Sequence, residues 1–291
     1  MEADMLRQYL ATAEEVARSA GRMIREAHRN RTSDHLHIES KGSDADRANV
    51  SVDLVTATDK ACEVAIIDTI KQRFPDHLFI GEESSFCGPG QEAPAGPLEL
   101  TSAPTWIIDP LDGTTNFVHG YPLVTVSIAL AVGGEYVYAT QFKGGGAHLN
   151  GTRVTVGQAT CVREALVCNN VGASRKPEVN RLATERLHAL LQENVRGLRN
   201  SGSAAQNMMH VACGALDAYF EVRGACSDGF GGPWDVAAGK IIVEEAGGVY
   251  RSHLGGPFVL KAGKGQVLAG NSAVVEDVAR ILRSVEPASS E

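Results

Sequence analysis

WIIDPLDGTTNFVHG, residues 106–120, is the stretch that decides the fold. An apolar run stops at Asp109. Asp112 follows it, directly ahead of Gly113, Thr114 and Thr115. Two carboxylates at the end of a strand are hard oxygen ligands for a hard cation. A glycine and two hydroxyls at the start of a helix bring backbone N–H groups that can meet an anion. Each acid also has a purely local alternative. Asp112 can cap a helix beginning near Gly113, and Asp109, held extended by Pro110, can simply end a strand.

Working outward, carboxylates recur at element edges. Upstream, VDLVTATDK (52–60) places Asp59 at the head of a helix running to about Arg73, with Thr58 or Asp59 as its cap. HLFIGEES (77–84) reads as a strand ending in Glu82 and Glu83. Downstream, Asp235 follows Trp234 at another helix start. The plain alternatives are caps at Asp59 and Asp235, and a surface edge at Glu82 and Glu83. Mg²⁺ takes octahedral oxygens and keeps several waters, so it needs few carboxylates per ion, drawn from separate elements. Four such edges suit a centre of two or three Mg²⁺ ions, which can activate water and stabilise a leaving oxygen.

The glycine-rich segments carry less. KGGGAHLNG (143–151) lacks the Lys-Ser/Thr ending of a nucleotide cradle and reads as a turn. Gly202, Ser203 and Ala204 open a helix of small residues. Its start can hold a phosphate or a sugar hydroxyl, and capping by Ser201 or Ser203 is the rival reading.

The remaining pattern alternates irregularly. Helices are expected over 5–29, 177–193, 234–246 and 273–284. PLVTVSIALAVGGEYVYA reads as two strands joined at Gly133-Gly134. Strands are expected at TRVTVG, ALVCNN and DAYFEV, and near Phe258 and Val267. Residues 30–51, 85–104 and 223–233 read as loops. Hairpins mixed with crossovers favour an α+β fold over a regular βαβ wind. The 291 residues, 43% of them hydrophobic, suffice for one large domain or two packed ones. A net charge of -8 argues against nucleic acid or an acidic membrane as partner, though not against a phosphate held through cations. The N-terminus has an amphipathic helical pattern rather than that of a signal peptide, so the cytoplasm is the expected compartment. Six scattered cysteines without CxxC spacing read as free thiols.

These motifs together resemble the inositol monophosphatases, of the magnesium-dependent, lithium-sensitive phosphatase superfamily that includes the fructose-1,6-bisphosphatases. Residues 52–60, 79–84, 106–120, 201–208, 214–222 and 234–248 carry the resemblance, and the plant members are the most similar. It implies a layered αβαβα sandwich, as one domain over 1–291 with an α+β half at about 1–155 and an α/β half at about 156–291. It implies hydrolysis of inositol monophosphate, in inositol biosynthesis and phosphatidylinositol signalling, by a homodimer. L-Galactose 1-phosphate and histidinol phosphate are the rival substrates.

By the same resemblance, Glu82, Asp109 and the Leu111 carbonyl hold a first Mg²⁺. Asp109, Asp112 and Asp235 hold a second, and a third lies near Glu82. Asp59 and Thr114 orient and deprotonate the attacking water. Gly113 and Thr114 donate to phosphate, Glu221 accepts from inositol hydroxyls, and Gly202, Ser203 and Ala204 complete the ring pocket. Four departures from the family stand out. The loops at 30–51 and 85–104 are long, and GACSDGFGGP lengthens the link from Glu221 to Asp235. YVYATQFKGGG is short by about eleven residues, a loss that would expose a sheet edge or shift its register and so impair the enzyme. Ala173 replaces a serine common near the substrate.

Overall fold

The computed structural model describes residues 3–30, 38–40, 54–85, 100–133, 135–138, 145–171, 176–222, 232–258 and 266–286. Two units divide the chain. Unit 1 takes Met1–Gly145, Gly202–Gln206 and Gly231–Ile241; unit 2 takes Gly146–Ser201, Asn207–Phe230 and Ile242–Glu291.

In unit 1, Tyr9, Ala13, Val16, Ala20 and Ile24 recur every three or four residues and form the apolar stripe of α1 (Ala3–Arg29). Cys62, Ile66 and Ile70 do the same on α2 (Ala57–Arg73), and both stripes join one core with Trp106, Ile108, Leu111, Ile128 and Leu130. Each fully buried isoleucine contributes roughly 1.5–3 kcal/mol. The sheet beneath is built from β3 (Leu78–Gly81), β4 (Thr105–Asp112), β5 (Thr125–Val132) and β6 (Glu135–Tyr138), in that order. β3 runs parallel to β4, and the other pairs are antiparallel. β4 is buried along its whole length.

The β4–β5 register places the site. Asp109 pairs with Ser127 and Asp112 with Thr125, so β4 spends one residue more than β5 between those pairs. Pro110 has no N–H to give the ladder, and a bulge falls there. In a regular strand, positions 109 and 112 point to opposite faces. The extra residue returns Asp112 to the face of Asp109, because their partners Ser127 and Thr125 lie two residues apart. A short helix, α4 (Thr114–His119), leaves directly from this bulge through Gly113.

Unit 2 holds a mixed sheet in the order β10 (Gly197–Asn200), β9 (Leu166–Asn169), β11 (Ala218–Val222), β13 (Gln266–Gly270), β12 (Val249–Arg251). Val167, Phe220 and Leu268 pack with Leu190 of α5 (Pro177–Gln192) and with Val274, Val278 and Leu282 of α8 (Ser272–Arg283). A separate hairpin pairs β7 (Ala147–Leu149) with β8 (Thr152–Val154). Among the described residues, no helix is long and apolar enough to cross a membrane.

Several expectations need correction. Glu39–Ser40 (β1) lies inside the segment read as a polar loop and pairs with Leu54–Val55 (β2). Glu82 and Glu83 do not end a strand; they open a helical turn, α3 (Glu82–Ser85). AHL within the glycine-rich turn is β7, and the turn proper is Asn150-Gly151, both at positive φ. β10 (GLRN) and β12 (VYR) are not among the expected strands, since neither carries an apolar run or alternation of its own. Phe258 itself is not in a strand, and residues 259–265 beside it lie outside the described residues. α2 is capped by Thr56, not by Thr58 or Asp59. Residues 139–144, part of the segment expected to be short against the family, lie outside the described residues, as do Ala173, 223–231 and all of 41–53 and 86–99. β6 is an edge of its sheet, and its pairing with β5 shifts register between Leu130 and Ala131. Cys62, Cys161, Cys168 and Cys213 are free thiols, and Cys87 and Cys226 fall outside the described residues.

Candidate active site

Asp59 lies on the first turn of α2 with 0% exposure. Thr56 and Asp59 form a reciprocal capping box: the Thr56 side chain accepts the Asp59 backbone N–H, and the Thr56 backbone N–H donates to Asp59 Oδ2 at 2.9 Å, an oxygen that the Thr56 hydroxyl also reaches. The other oxygen, Oδ1, accepts from Thr114 Oγ1 at 3.1 Å. Burial raises the Asp59 carboxyl above its ordinary value. The bonds from Thr56 and Thr114 oppose the rise, and the nearby charge of Glu82 adds to it. A carboxylate so held has a fixed direction and raised basicity.

Thr114 Oγ1 is also 3.2 Å from the Leu111 carbonyl oxygen. One hydroxyl proton serves one acceptor at a time. A cation on the Leu111 carbonyl would leave that proton to Asp59. Leu111 N–H donates to Asp109 Oδ1 at 3.0 Å, which fixes the Asp109 rotamer inside the bulge.

Asp112 does not cap α4. The cap there is Gly113, at φ 96 with no side-chain bond, and a Cβ on it would lie 2.8 Å from the Leu123 carbonyl oxygen. Asp112 Oδ2 instead accepts from Ser203 Oγ at 2.8 Å and from the Ala205 N–H at 2.6 Å. It thereby anchors the start of α6 (Ala204–Ala212), whose own cap is Ser203, with Gln206 N–H at 3.4 Å from its hydroxyl. Gly202 precedes it at φ 79, and a Cβ there would come within 3.1 Å of Asn116 Oδ1. Asp235, on the first turn of α7 (Pro233–Glu245), accepts the Gly232 N–H at 2.7 Å. The Trp234 carbonyl accepts from Ser127 Oγ of β5 at 3.0 Å, which ties that turn to the sheet.

Asp109, Asp112 and Asp235 are brought together: each offers a carboxylate oxygen, all within 4.8 Å of one another. Glu82 is not in that trio, yet it hydrogen-bonds the Asp109 carboxyl and is its strongest charged neighbour. Asp109 is 1% exposed. Burial pushes its carboxyl well up, and Glu82, Asp112 and Asp235 push it further. The Asp112 carboxyl is pushed up to about 8, first by burial and next by Asp235. Buried carboxylates that repel one another at this range are a donor set that a divalent cation fits. Its charge removes the repulsion, and every donor is a hard oxygen.

Glu221 belongs to unit 2. It is buried, and it accepts from the Tyr219 hydroxyl and, at 3.3 Å, from Asn170 Nδ2. Asn170 in turn accepts from Asn207 Nδ2 at 3.2 Å, so a polar network orients the carboxylate.

Sequence reasoning missed Thr56, Ser127 and Glu63. The Thr-x-x-Asp spacing of a capping box would have found Thr56. Glu63 is one helical turn beyond Asp59, on the same face. No local signal marks Ser127.

Comparison with known proteins covers nearly the whole chain. The sequence model described as the inositol monophosphatase family matches residues 5–286. Inositol monophosphatase 2 of Solanum lycopersicum is 43% identical over 268 residues, covering 88% of this chain and 92% of that protein. Inositol monophosphatase 1 of Homo sapiens is 38% identical over 295 residues, covering 98% and 96%. Among solved structures, the inositol monophosphatase of Anabaena sp. PCC 7120 is similar with a TM-score of 0.73 and 29% identity, covering 98% of this chain and 99% of that one.

Proposed function

Because the chain belongs to the inositol monophosphatase family, we propose that it is a phosphoric monoester hydrolase that cleaves inositol monophosphate to inositol and phosphate with the help of Mg²⁺. The observation that carries the proposal is the buried trio Asp109, Asp112 and Asp235, on the same unit as the linked pair Asp59 and Thr114.

Glu82, Asp109 and the Leu111 carbonyl would hold one ion, and Asp109, Asp112 and Asp235 a second, with room in the proposal for a third near Glu82. When bound, the ions supply Lewis-acid chemistry, neutralising phosphoryl charge and acidifying water. The protein's own part is positional and acid–base. Thr114 Oγ1, donating to Asp59, keeps lone pairs for the proton of the attacking water, and Asp59 is the final acceptor. A carboxyl raised by burial suits that task, because it binds the proton more firmly than an exposed one. Gly113 and Thr114 N–H groups orient the phosphate. Glu221 accepts from ring hydroxyls, and Gly202, Ser203 and Ala204 are proposed as further substrate contacts. A buried acceptor left without its hydroxyl is costly, so Glu221 discriminates among polyols. The proposal extends to a homodimer in the cytoplasm, organised as one family domain and inhibited by lithium at the carboxylate trio.

The test is phosphate release at fixed Mg²⁺ from inositol 1-phosphate, L-galactose 1-phosphate and histidinol phosphate. The highest kcat/KM on inositol 1-phosphate is expected. A preference for another monoester overturns the substrate. Monodisperse protein with no Mg²⁺-dependent release from any of them makes this chain an impaired relative.

A further inference from the structure

We propose that Glu63 is a positioning residue for Glu82, and that it sets the affinity of the cation site through the backbone of α3. The inference rests on the reading of Glu82 as a ligand and deepens it.

Glu63 is a buried acid on α2 with 4% exposure. Its two oxygens take separate backbone donors. Oε2 accepts the Glu83 N–H at 2.9 Å, and Oε1 accepts the Ser84 N–H at 2.7 Å. The Ser84 hydroxyl bonds the same carboxylate. On the other side of Glu82, a Cβ at Gly81 would fall 2.5 Å from Glu63 Oε2 and 2.6 Å from its carboxyl carbon. Glu82 is therefore bracketed. The residue before it lacks a side chain where the Glu63 carboxylate sits, and the two after it are tied to that carboxylate by their N–H groups.

A single four-residue turn has few hydrogen bonds of its own, and the Glu83 and Ser84 N–H groups spend theirs on Glu63, so this external anchor helps fix the direction in which Glu82 leaves the chain. Asp59 lies one turn earlier on the same rigid helix and reaches Thr114. α2 thus spaces two parts of the site from a single element: Asp59 directly, and Glu82 through Glu63. Outer partners of this kind orient ligands and commonly change metal affinity 10–100-fold when removed.

Glu63→Gln keeps the volume, but one oxygen becomes an NH₂ that faces an N–H. The assay is calorimetric titration of Mg²⁺ into chelator-stripped full-length protein, run beside the Mg²⁺ concentration for half-maximal phosphate release. Both are expected to rise about 10-fold. The substrate KM at saturating Mg²⁺ should stay unchanged, and Glu63→Gln should add nothing in a Glu82→Gln background. Gly81→Ala displaces the same carboxylate with Glu63 retained, and should reproduce the shift. It also decides the matter if Glu63→Gln fails to fold by circular dichroism. Unaltered Mg²⁺ titrations with only a lowered melting temperature overturn the proposal, as does full additivity with Glu82→Gln. If Glu82→Gln itself leaves the titration unchanged, the ligand reading of Glu82 fails, and this inference fails with it. If Glu82→Gln shifts the titration and neither Glu63→Gln nor Gly81→Ala does, the inference alone fails.

Discussion

Asp112→Asn should make the metal-free protein more stable while removing its function. The folded state raises the Asp112 carboxyl from 3.8 to about 8. Because the folded value lies above the unfolded one, the stability this group contributes is complete below pH 3.8 and is lost as pH rises toward about 8. At 1.36 kcal/mol per unit, the loss at pH 7 is roughly 4 kcal/mol relative to strongly acid solution. Asparagine does not titrate, and its amide oxygen can still accept from Ser203 and Ala205. Part of the gain is returned, because the wild-type trio relieves its own repulsion by sharing protons. A net gain of about 2 kcal/mol is expected, or about 3 °C in melting temperature for a chain of this size. The assay is thermal and urea unfolding of chelator-treated wild type and variant from pH 5 to 8. Saturating Mg²⁺ should reverse the order, since binding at a hundred times Kd stabilises only the wild type, by about 2.7 kcal/mol. The reasoning is refuted if the metal-free variant melts below wild type at pH 7, or if the two proteins lose stability with the same slope between pH 5 and 8.

Thr114→Val should lower kcat about 10²-fold or more while leaving Mg²⁺ titration nearly unchanged, and Thr114→Ser should recover most of the rate because it restores the hydroxyl. Equal losses in the two variants would remove Thr114 from the proton path. Gly113→Ala places a Cβ 2.8 Å from the Leu123 carbonyl at φ 96, so about 1–3 kcal/mol of stability should be lost together with activity, as read by urea melts and kinetics. His77 accepts from Trp106 Nε1 at 2.9 Å on its Nδ1, and burial lowers its basicity, partly offset by Asp76. The neutral ring is the folded form, so the stability it contributes is present above its ordinary value of 6.5 and is lost as pH falls below that. Urea melts should show that acid limb, with Trp106 fluorescence changing alongside, and His77→Leu should flatten it.

Much of this was legible in the chain because it is local. The helix start beside Asp59 (though not its Thr56 cap), the long apolar stripes of α1 and α2, and the turn from Asp112 through Gly113 into a helix all follow from contacts within a few residues. So does the choice of oxygen donors, which sets the class of ion before any coordinates are known. β10 and β12 were not legible because neither carries the apolar run or alternation that marked strands as short as β8 and β9.

The sequence by itself determined which acids the protein owns and the kind of cation they suit. Only the tertiary structure decided how they meet. A one-residue bulge at Pro110 puts Asp109 and Asp112 on one face, and no pattern within β4 announces it, because the count depends on the partner strand. Asp112 was readable as a cap, but not as the anchor for the start of a helix some ninety residues downstream. Glu63 was an ordinary helical acid until the fold set two backbone N–H groups of another element against it. Hydrogen-bond donors at helix starts are generic, and which carboxylate reaches which of them is fixed by the packing of the apolar stripes around them.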